Sequence, residues 1–159
     1  MYDVYAISAI AFLLMALFGG HAVADYGLQS SYVADFKVRP TADSARVVHE
    51  DGTFSWPNGI RKNPDWFVTL GAHCLIHGFL VLVSVAVCSF VLFLVSGVAW
   101  LPALRTAAAL GTWLGWAETV IHFAIDDAKG QQRFSYRTDQ ILHYGCKMLW
   151  ASIVLVFLG

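Results

Sequence analysis

The stretch from Trp66 to Trp100 constrains the fold most, because its 35 residues include no Asp, Glu, Lys or Arg. As an α-helix it would be roughly 50 Å long, whereas the hydrocarbon core of a bilayer is about 30 Å thick. We therefore expect one membrane span within it, Gly78 to Val98, preceded by a part that crosses the headgroup layer. Only 13% of the whole chain is charged, against about 25% in soluble domains. The sequence predicts a polytopic membrane protein.

Four apolar segments predict an all-α membrane protein with four transmembrane helices in one bundle, a single domain over residues 1–159. The expected helices are about 4–32, 66–97, 101–127 and 138–158. The first segment has the apolar core of a signal peptide, but no basic residue precedes it and Asp3 has the wrong sign, so we interpret it as a membrane helix. The polar loop of about 33–65 predicts a short β-hairpin, with strands near Val47-Val48 and Phe54 to Trp56.

Basic residues predict the orientation of these helices. The first loop holds Lys37, Arg39, Arg46, Arg61 and Lys62, and the third holds Lys129, Arg133 and Arg137. The opposite side has only Arg105, so the positive-inside rule places loops one and three in the cytoplasm and both termini outside. A net charge of −1 and the lack of a basic run argue against a nucleic-acid partner.

Ionisable residues recur at a spacing of four near the cytoplasmic ends of all four predicted helices. Glu118, His122 and Asp126 would stack along one helix face, about 6 Å apart. The other same-face sets are His21 and Asp25, His73 and His77, and Asp139 and His143. Ionisable residues within membrane helices mark functional sites, and in a bundle these four sets can face one axis.

Two interpretations of these sets compete. Polar side chains can simply join membrane helices by hydrogen bonds. However, four carboxylic acids in one low-dielectric space need protons or cations, and imidazoles with carboxylates at helical spacing bind Zn²⁺, Fe²⁺ or Mn²⁺. We therefore predict one or two divalent transition-metal ions, zinc first, with iron or manganese as alternatives. The predicted ligands are His21, Asp25, His73, His77, Glu118, His122, Asp126, Asp139 and His143.

Further residues are expected around these ligands. Lys147 follows His143 by one turn, at a depth similar to that of Glu118, which predicts an ion pair across the bundle. The residues predicted to orient ligands or contact substrate are Gln29, Lys62, Lys129 and Gln140. For the two lysines among these, ordinary anchoring at the membrane surface is favoured over phosphate binding. The cysteines, Cys74, Cys88 and Cys146, lack metal-site spacing and are expected to be small buried apolar residues.

The polar motifs resemble those of a family of small bacterial and phage membrane proteins known as domain of unknown function 3307. The matching motifs are H-x-x-x-D-Y-x-L-Q (21–29), K-N (62–63), H-x-x-x-H (73–77), W-x-E-x-x-x-H-x-x-x-D-x-x-K (116–129) and D-Q-x-x-H (139–143). Residues 36–60 have no counterpart. The resemblance implies a bacterial or phage source and an inner-membrane location, but it supplies no activity.

The leading functional hypothesis is a metal-dependent hydrolase of a lipid or lipid-linked substrate. Such a site would lie at the headgroup boundary, where metal-bound water could attack an ester or phosphoester. Glu118 or Asp126 is the expected general base, and Lys147 is expected to stabilise developing negative charge. A di-iron redox enzyme, a protein that handles protons or metal ions, and a purely structural membrane protein remain alternatives. Membrane lipid is the expected partner, and a homo-oligomer is left open.

Overall fold

The computed structural model describes residues 2–39, 47–48, 50–51, 54–55 and 66–157. Its elements are α1 (Tyr2–Ala22), a π-helical segment (Val23–Leu28), α2 (Ser31–Phe36), β1 (Val47–Val48), β2 (Phe54–Ser55), α3 (Trp66–Val95), α4 (Trp100–Gly130) and α5 (Tyr136–Val156). The long helices pack as α1 against α3 and α5, and α4 against α3 and α5. The predicted all-α class with four long helices is therefore confirmed for the part of the chain that is described.

The first predicted helix ends earlier in the structure than the sequence suggested. Its helical geometry stops at Leu28, and Gln29 has an extended backbone (φ −80°, ψ 108°). Ser30 then caps α2, because its hydroxyl accepts a hydrogen bond from the backbone N–H of Val33 at 3.3 Å. A serine in this position satisfies a free N–H at the start of a new helix. The chain thus breaks after the π-helical segment, and α2 packs against α3.

Helices α3 and α4 approach closely because glycines lie at their contact. A Cβ atom on Gly78 would lie 2.6 Å from the carbonyl oxygen of Gly115, and one on Gly115 would lie 2.7 Å from the carbonyl oxygen of Gly78. Similarly, a Cβ atom on Gly111 would lie 2.7 Å from a backbone carbonyl oxygen of α3. Small residues allow such close approach of helices in membranes. The approach also stacks the ring of His77 on that of His122, with 3.7 Å between centroids.

Short turns connect α3 to α4 and α4 to α5. Gly97 adopts a left-handed backbone (φ +83°) between α3 and α4, which glycine does without steric cost. Pro102 lies in the first turn of α4, where its missing N–H removes no helical hydrogen bond. Ser135 caps α5 by accepting from the backbone N–H of Thr138 at 3.2 Å. These short connections place α4 beside both α3 and α5.

The residues buried between the helices form an apolar part and a polar part. Leu13, Leu17, Val81 and Val85 are among the buried residues of the apolar cluster. Almost all the buried histidines and charged residues lie instead among the residues from His21 to Asp25, His73 to His77, Glu118 to Asp126 and Asp139 to Lys147. These buried ionisable side chains are thereby confined to one end of the four long helices.

The outward surface of the long helices is apolar. Trp113 on α4 and Ile141 on α5 are 76% and 69% exposed, and Met15 on α1 and Phe79 on α3 are similarly exposed. Among the described residues, two helical stretches are long and apolar enough to cross a membrane, Ile7–Leu28 and Trp66–Val95. Helices α4 and α5 carry more charged residues, which lower their mean hydropathy.

The predicted hairpin is described only in part. Strands β1 and β2 pair antiparallel, with Val47 opposite Ser55 and Val48 opposite Phe54. Residues 50–51 form a turn between the strands. The other residues of this connection lie outside the described ranges, so the complete hairpin remains a prediction. Lys62, a predicted substrate contact, also lies outside them.

Candidate metal centre

The structure brings all nine predicted metal ligands into one polar cluster. Each of these residues lies within 3.7 Å of another by a hydrogen bond or an ion-pair contact. Eight of them are buried: His21, His73, His77, Glu118, His122, Asp126, Asp139 and His143. Asp25 is partly buried, with 17% of its side chain exposed. Contacts between all four long helices and the π-helical segment therefore assemble the cluster.

Three overlapping groups within the cluster could hold a metal ion. In each, the ligand atoms lie within 4.8 Å of one another. The groups are Asp25, His73, His77 and His122; Glu118, His122 and His143; and Asp126, Asp139 and His143. His122 belongs to the first two groups and His143 to the last two, so the groups form a continuous row.

The first group is centred on the carboxylate of Asp25. Its Oδ1 atom accepts a hydrogen bond from Nε2 of His77 at 3.1 Å and lies 3.5 Å from Nε2 of His73. Its Oδ2 atom lies 3.4 Å from Nε2 of His21, whose Nδ1 atom is 3.3 Å from Nδ1 of His77. Asp25 therefore gathers three imidazoles from two helices.

The third group is centred on His143. Its Nε2 atom lies 3.2 Å from Oδ1 of Asp126 and 3.4 Å from Oδ1 of Asp139. The other oxygen of Asp139 accepts hydrogen bonds from Lys129 at 2.7 Å and from Gln140 at 3.0 Å. Lys129 and Gln140 thus contact a predicted metal ligand, and their role in orienting it remains a prediction.

Glu118 has a different environment, at the deep end of the cluster. Its Oε1 atom accepts from Lys147 Nζ at 2.5 Å and from His122 Nδ1 at 3.2 Å, and its Oε2 atom accepts from Trp150 Nε1 at 2.7 Å. The predicted pairing of Glu118 with Lys147 is confirmed. Because a carboxylate accepts the Nδ1–H of His122, the Nε2 atom of that ring keeps its lone pair for another partner.

Several buried histidine nitrogens have no hydrogen-bond partner among the described residues. In the neutral rings, His122 Nε2 and His143 Nδ1 are lone-pair nitrogens, because the opposite nitrogen of each ring contacts a carboxylate. His21 Nε2 also has no hydrogen bond, but it lies 3.4 Å from Asp25, and His21 belongs to none of the three groups. The centroids of these three rings lie 4.1 to 5.8 Å apart. Leaving such atoms unpartnered costs about 1–3 kcal/mol each, whereas a metal ion would satisfy them.

Lys37 is a member of the cluster that the sequence did not predict. Its ammonium donates to Asp126 Oδ2 at 2.7 Å, to His73 Nε2 at 3.1 Å and to Gln29 Oε1 at 3.2 Å. Lys37 follows α2 and shares no helical spacing with its partners, so only the tertiary fold brings it there. Its positive charge near a helix end is the one signal in the sequence, and that charge is equally well explained by membrane orientation.

The segment after α2 is held across the open end of the cluster. Arg39 donates two hydrogen bonds to the carboxylate of Asp127, at 3.0 and 2.9 Å. Its guanidinium also lies 4.6 Å from the ring centroid of Trp66. Val38 packs beside Gly130, where an added Cβ atom would lie 3.3 Å from a Val38 methyl group. These contacts fix the position from which Lys37 reaches the ligands.

A cavity of about 400 Å³ opens beside the ligands. Its walls include three carboxylates of the cluster, two lysines and several amide and phenol groups. The lining residues that bear such groups are Asp25, Tyr26, Gln29, Lys37, Asp126, Lys129, Gln132, Tyr136, Asp139 and Gln140. The hydroxyl groups of Tyr26 and Tyr136 are hydrogen-bonded to each other at 2.9 Å. Glu118 and Lys147 are not among the lining residues.

Comparisons with known proteins add no assignment. No family model matches the chain, and neither does any curated protein or any solved structure. The resemblance to domain of unknown function 3307 therefore remains a prediction from the motifs.

Proposed function

We propose that this chain is an integral membrane protein with a metal-dependent hydrolase site that acts on a lipid or lipid-linked substrate. The observation that carries the proposal is the row of three ligand groups beside a cavity. The row lies at one end of a helical assembly whose outward surface is apolar. A site built in this way would meet its substrate where lipid headgroups begin.

The distribution of polarity supports four membrane spans rather than two. Helices α4 and α5 direct the ionisable residues of their middle parts inward: Glu118 and Lys147 are each 1% exposed. Arg105 and Arg137, which are exposed, lie near the helix starts. Large apolar residues cover their outward faces, such as Trp113 and Met148. Mean hydropathy averages the two faces and so understates the apolar outer surface of these helices. With loops one and three in the cytoplasm, the ligand groups would lie on the cytoplasmic side.

The chemistry of the donors supports a divalent transition metal. Imidazoles and carboxylates alone make up the three groups, and none includes a cysteine. Zinc accepts this donor set with three protein ligands and an open position in hydrolytic enzymes. Adjacent groups share a histidine, so the row favours two ions that share ligands over two independent sites.

The proposed reaction is the addition of water across an ester or phosphoester bond. A bound divalent ion lowers the pKa of water and polarises the bond to be broken. Asp126 lines the cavity and is the proposed general base, which takes a proton from the attacking water. The water oxygen bonds to carbon or phosphorus, the bond to the leaving oxygen breaks, and that oxygen receives the proton.

Glu118 and Lys147 are proposed to position other residues and to contact neither substrate nor metal, so that His122 and His143 remain as ligands of the second group. The sequence suggested a catalytic role for both, but they do not line the cavity and their polar atoms are engaged by each other and by Trp150. Through its hydrogen bond to His122, Glu118 would orient that ring and hold its tautomer. Second partners of this kind typically alter metal affinity about 10- to 100-fold.

A dinuclear redox centre is the second candidate. Asp126 favours it, because its Oδ1 atom lies 3.2 Å from His143 and its Oδ2 atom lies 3.6 Å from His73. A carboxylate between two ligand groups is typical of di-iron sites in helical bundles. A transmembrane path for protons or ions is less favoured, since the buried core beyond Glu118 consists mainly of apolar residues.

Metal analysis of the full chain, purified in detergent, tests the proposal. We expect one or two zinc ions per chain and zinc-dependent release of a lipid product, detected by mass spectrometry after incubation with bacterial phospholipids. Chelation should abolish product release, and added zinc should restore it. Bound iron with an electron paramagnetic resonance signal would support the redox candidate. Metal-free protein without hydrolysis on zinc addition would overturn both.

A further inference from the structure

Two lysines line the cavity beside the ligand groups, and each forms an ion pair with a carboxylate of the cluster. Lys37 comes from the segment after α2, and Lys129 comes from the end of α4. Each ammonium lies 2.7 Å from a carboxylate oxygen, Lys37 from Asp126 and Lys129 from Asp139. Their side chains are 16% and 35% exposed, so both are partly buried.

The two carboxylates paired with these lysines belong to the same metal group, the one that also contains His143. The ammonium groups supply positive charge that these acids need. The lysines contact the Oδ2 atoms of the two acids, whereas the Oδ1 atoms face His143. A divalent ion bound through the Oδ1 atoms would neutralise part of the carboxylate charge, so that the ammonium groups could also attract an anion in the cavity.

The anchors of both lysines are independent of the carboxylates. The segment that carries Lys37 is held by the ion pair of Arg39 with Asp127. Lys129 lies on α4, and its ammonium is 5.0 Å from the ring centroid of Tyr136. Two ammonium groups held beside a divalent ion form a site for a compact anion with several oxygens.

We infer that this cavity binds a phosphate group, with Lys37 and Lys129 as its cationic contacts. The inference rests on the proposed metal site and names the substrate class: a phosphate-bearing molecule rather than a neutral ester. The cavity volume of about 400 Å³ lies within the usual range for small-molecule sites, about 300–1,000 Å³. The amide groups of Gln29 and Gln140 supply further donors on its walls. A lipid headgroup and free phosphate share this chemistry.

The experiment measures phosphate binding by the zinc-loaded full chain in nanodiscs, with zinc content determined for every variant. Inorganic phosphate is titrated calorimetrically into phosphatidylcholine nanodiscs, and a second set contains phosphatidic acid. Binding of inorganic phosphate identifies a site that accepts free phosphate. Loss of that binding in phosphatidic acid nanodiscs alone identifies the lipid headgroup as a competing occupant.

Single replacements of each lysine test its role. Lys37→Met and Lys129→Met should each weaken phosphate binding about tenfold or more. Lys37→Met should retain zinc, because it removes a cation that competes for Asp126 and His73. Arg133→Met is the matched control: Arg133 carries the same charge at the same end, but it does not line the cavity and donates to Gln131. It should bind phosphate as the unchanged protein does.

The failures of the two proposals can be told apart. Zinc-loaded protein that binds neither inorganic phosphate nor phosphatidic acid would overturn the phosphate site and leave the metal site standing. The same conclusion follows if both lysine variants bind phosphate as tightly as the Arg133→Met control. A chain that takes up no zinc would overturn the proposed function, and the phosphate inference with it.

Discussion

The Lys147 ammonium lies 2.5 Å from a carboxylate oxygen of Glu118, and each of these residues is 1% exposed. A buried ion pair of this kind is weak evidence for stability as such, since its attraction is offset by lost hydration. Removal of one partner is a different matter, because it leaves the other charge buried and alone.

We therefore expect Glu118→Gln or Lys147→Met alone to destabilise the protein by roughly 3 kcal/mol. The double variant should lose clearly less than the sum of the two single losses. Denaturant unfolding in detergent measures all three. Additive losses would mean that the two charges do not interact, and Lys147 would then be better explained as a substrate or headgroup contact.

A second prediction concerns His122, which belongs to two of the three ligand groups. His122→Gln should lose at least one metal ion per chain and lower the melting temperature, because a bound metal stabilises only the folded state. Elemental analysis and thermal unfolding of the same preparations measure both effects.

Ser89→Ala is the matched control for this variant. The Ser89 hydroxyl is buried without a hydrogen-bond partner among the described residues, and Ser89 belongs to none of the ligand groups. Its removal should leave metal content unchanged and should not lower stability. Metal-free wild-type protein with the same stability as His122→Gln would favour the interpretation of the cluster as hydrogen-bonded contacts between helices.

The third prediction tests the close approach of α3 and α4. Gly78→Ala would bring a methyl group to 2.6 Å from the carbonyl oxygen of Gly115, so the helices would have to separate. We expect a loss of about 1–3 kcal/mol together with a lower metal content, since His77 and His122 would move apart. Gly71→Ala in the same helix is the control.

Gly71 has no atom within 4 Å of an added Cβ. Alanine there should be neutral or stabilise α3 by about 0.5–1 kcal/mol, because glycine is less favourable within a helix. Equal effects of the two substitutions in unfolding and metal analysis would show that glycine does not set the spacing of α3 and α4.

The parts of the site that follow from helical spacing were predictable, and the parts that depend on tertiary contacts were not. His73 and His77 had to share one face of a helix, and Asp139 and His143 likewise. Which histidine joins which acid depends on the relative rotation of the helices, which no spacing encodes. Lys37 was missed for the same reason.

The assigned role of Glu118 shows the same limit. Its place in the stripe with His122 predicted a ligand or a base, but the indole N–H of Trp150 donates to it at 2.7 Å, a contact between distant parts of the sequence. The sequence also predicted the first helix to residue 32. The break at Gln29 was not predicted, because Gln29 and Ser30 are both compatible with a continuous helix. In the structure Ser30 instead caps a new helix, α2.

The last prediction concerns the side of the membrane on which the site lies. Eight basic residues in loops one and three against Arg105 alone on the opposite side predict that both loops are cytoplasmic. In a background without native cysteines, Ser44→Cys in loop one and Arg133→Cys in loop three should react with an impermeant maleimide only after the cells are permeabilised. A cysteine appended to the C-terminus should react in intact cells. Labelling of both loop cysteines in intact cells would show the opposite orientation and would place the proposed site at the outer leaflet.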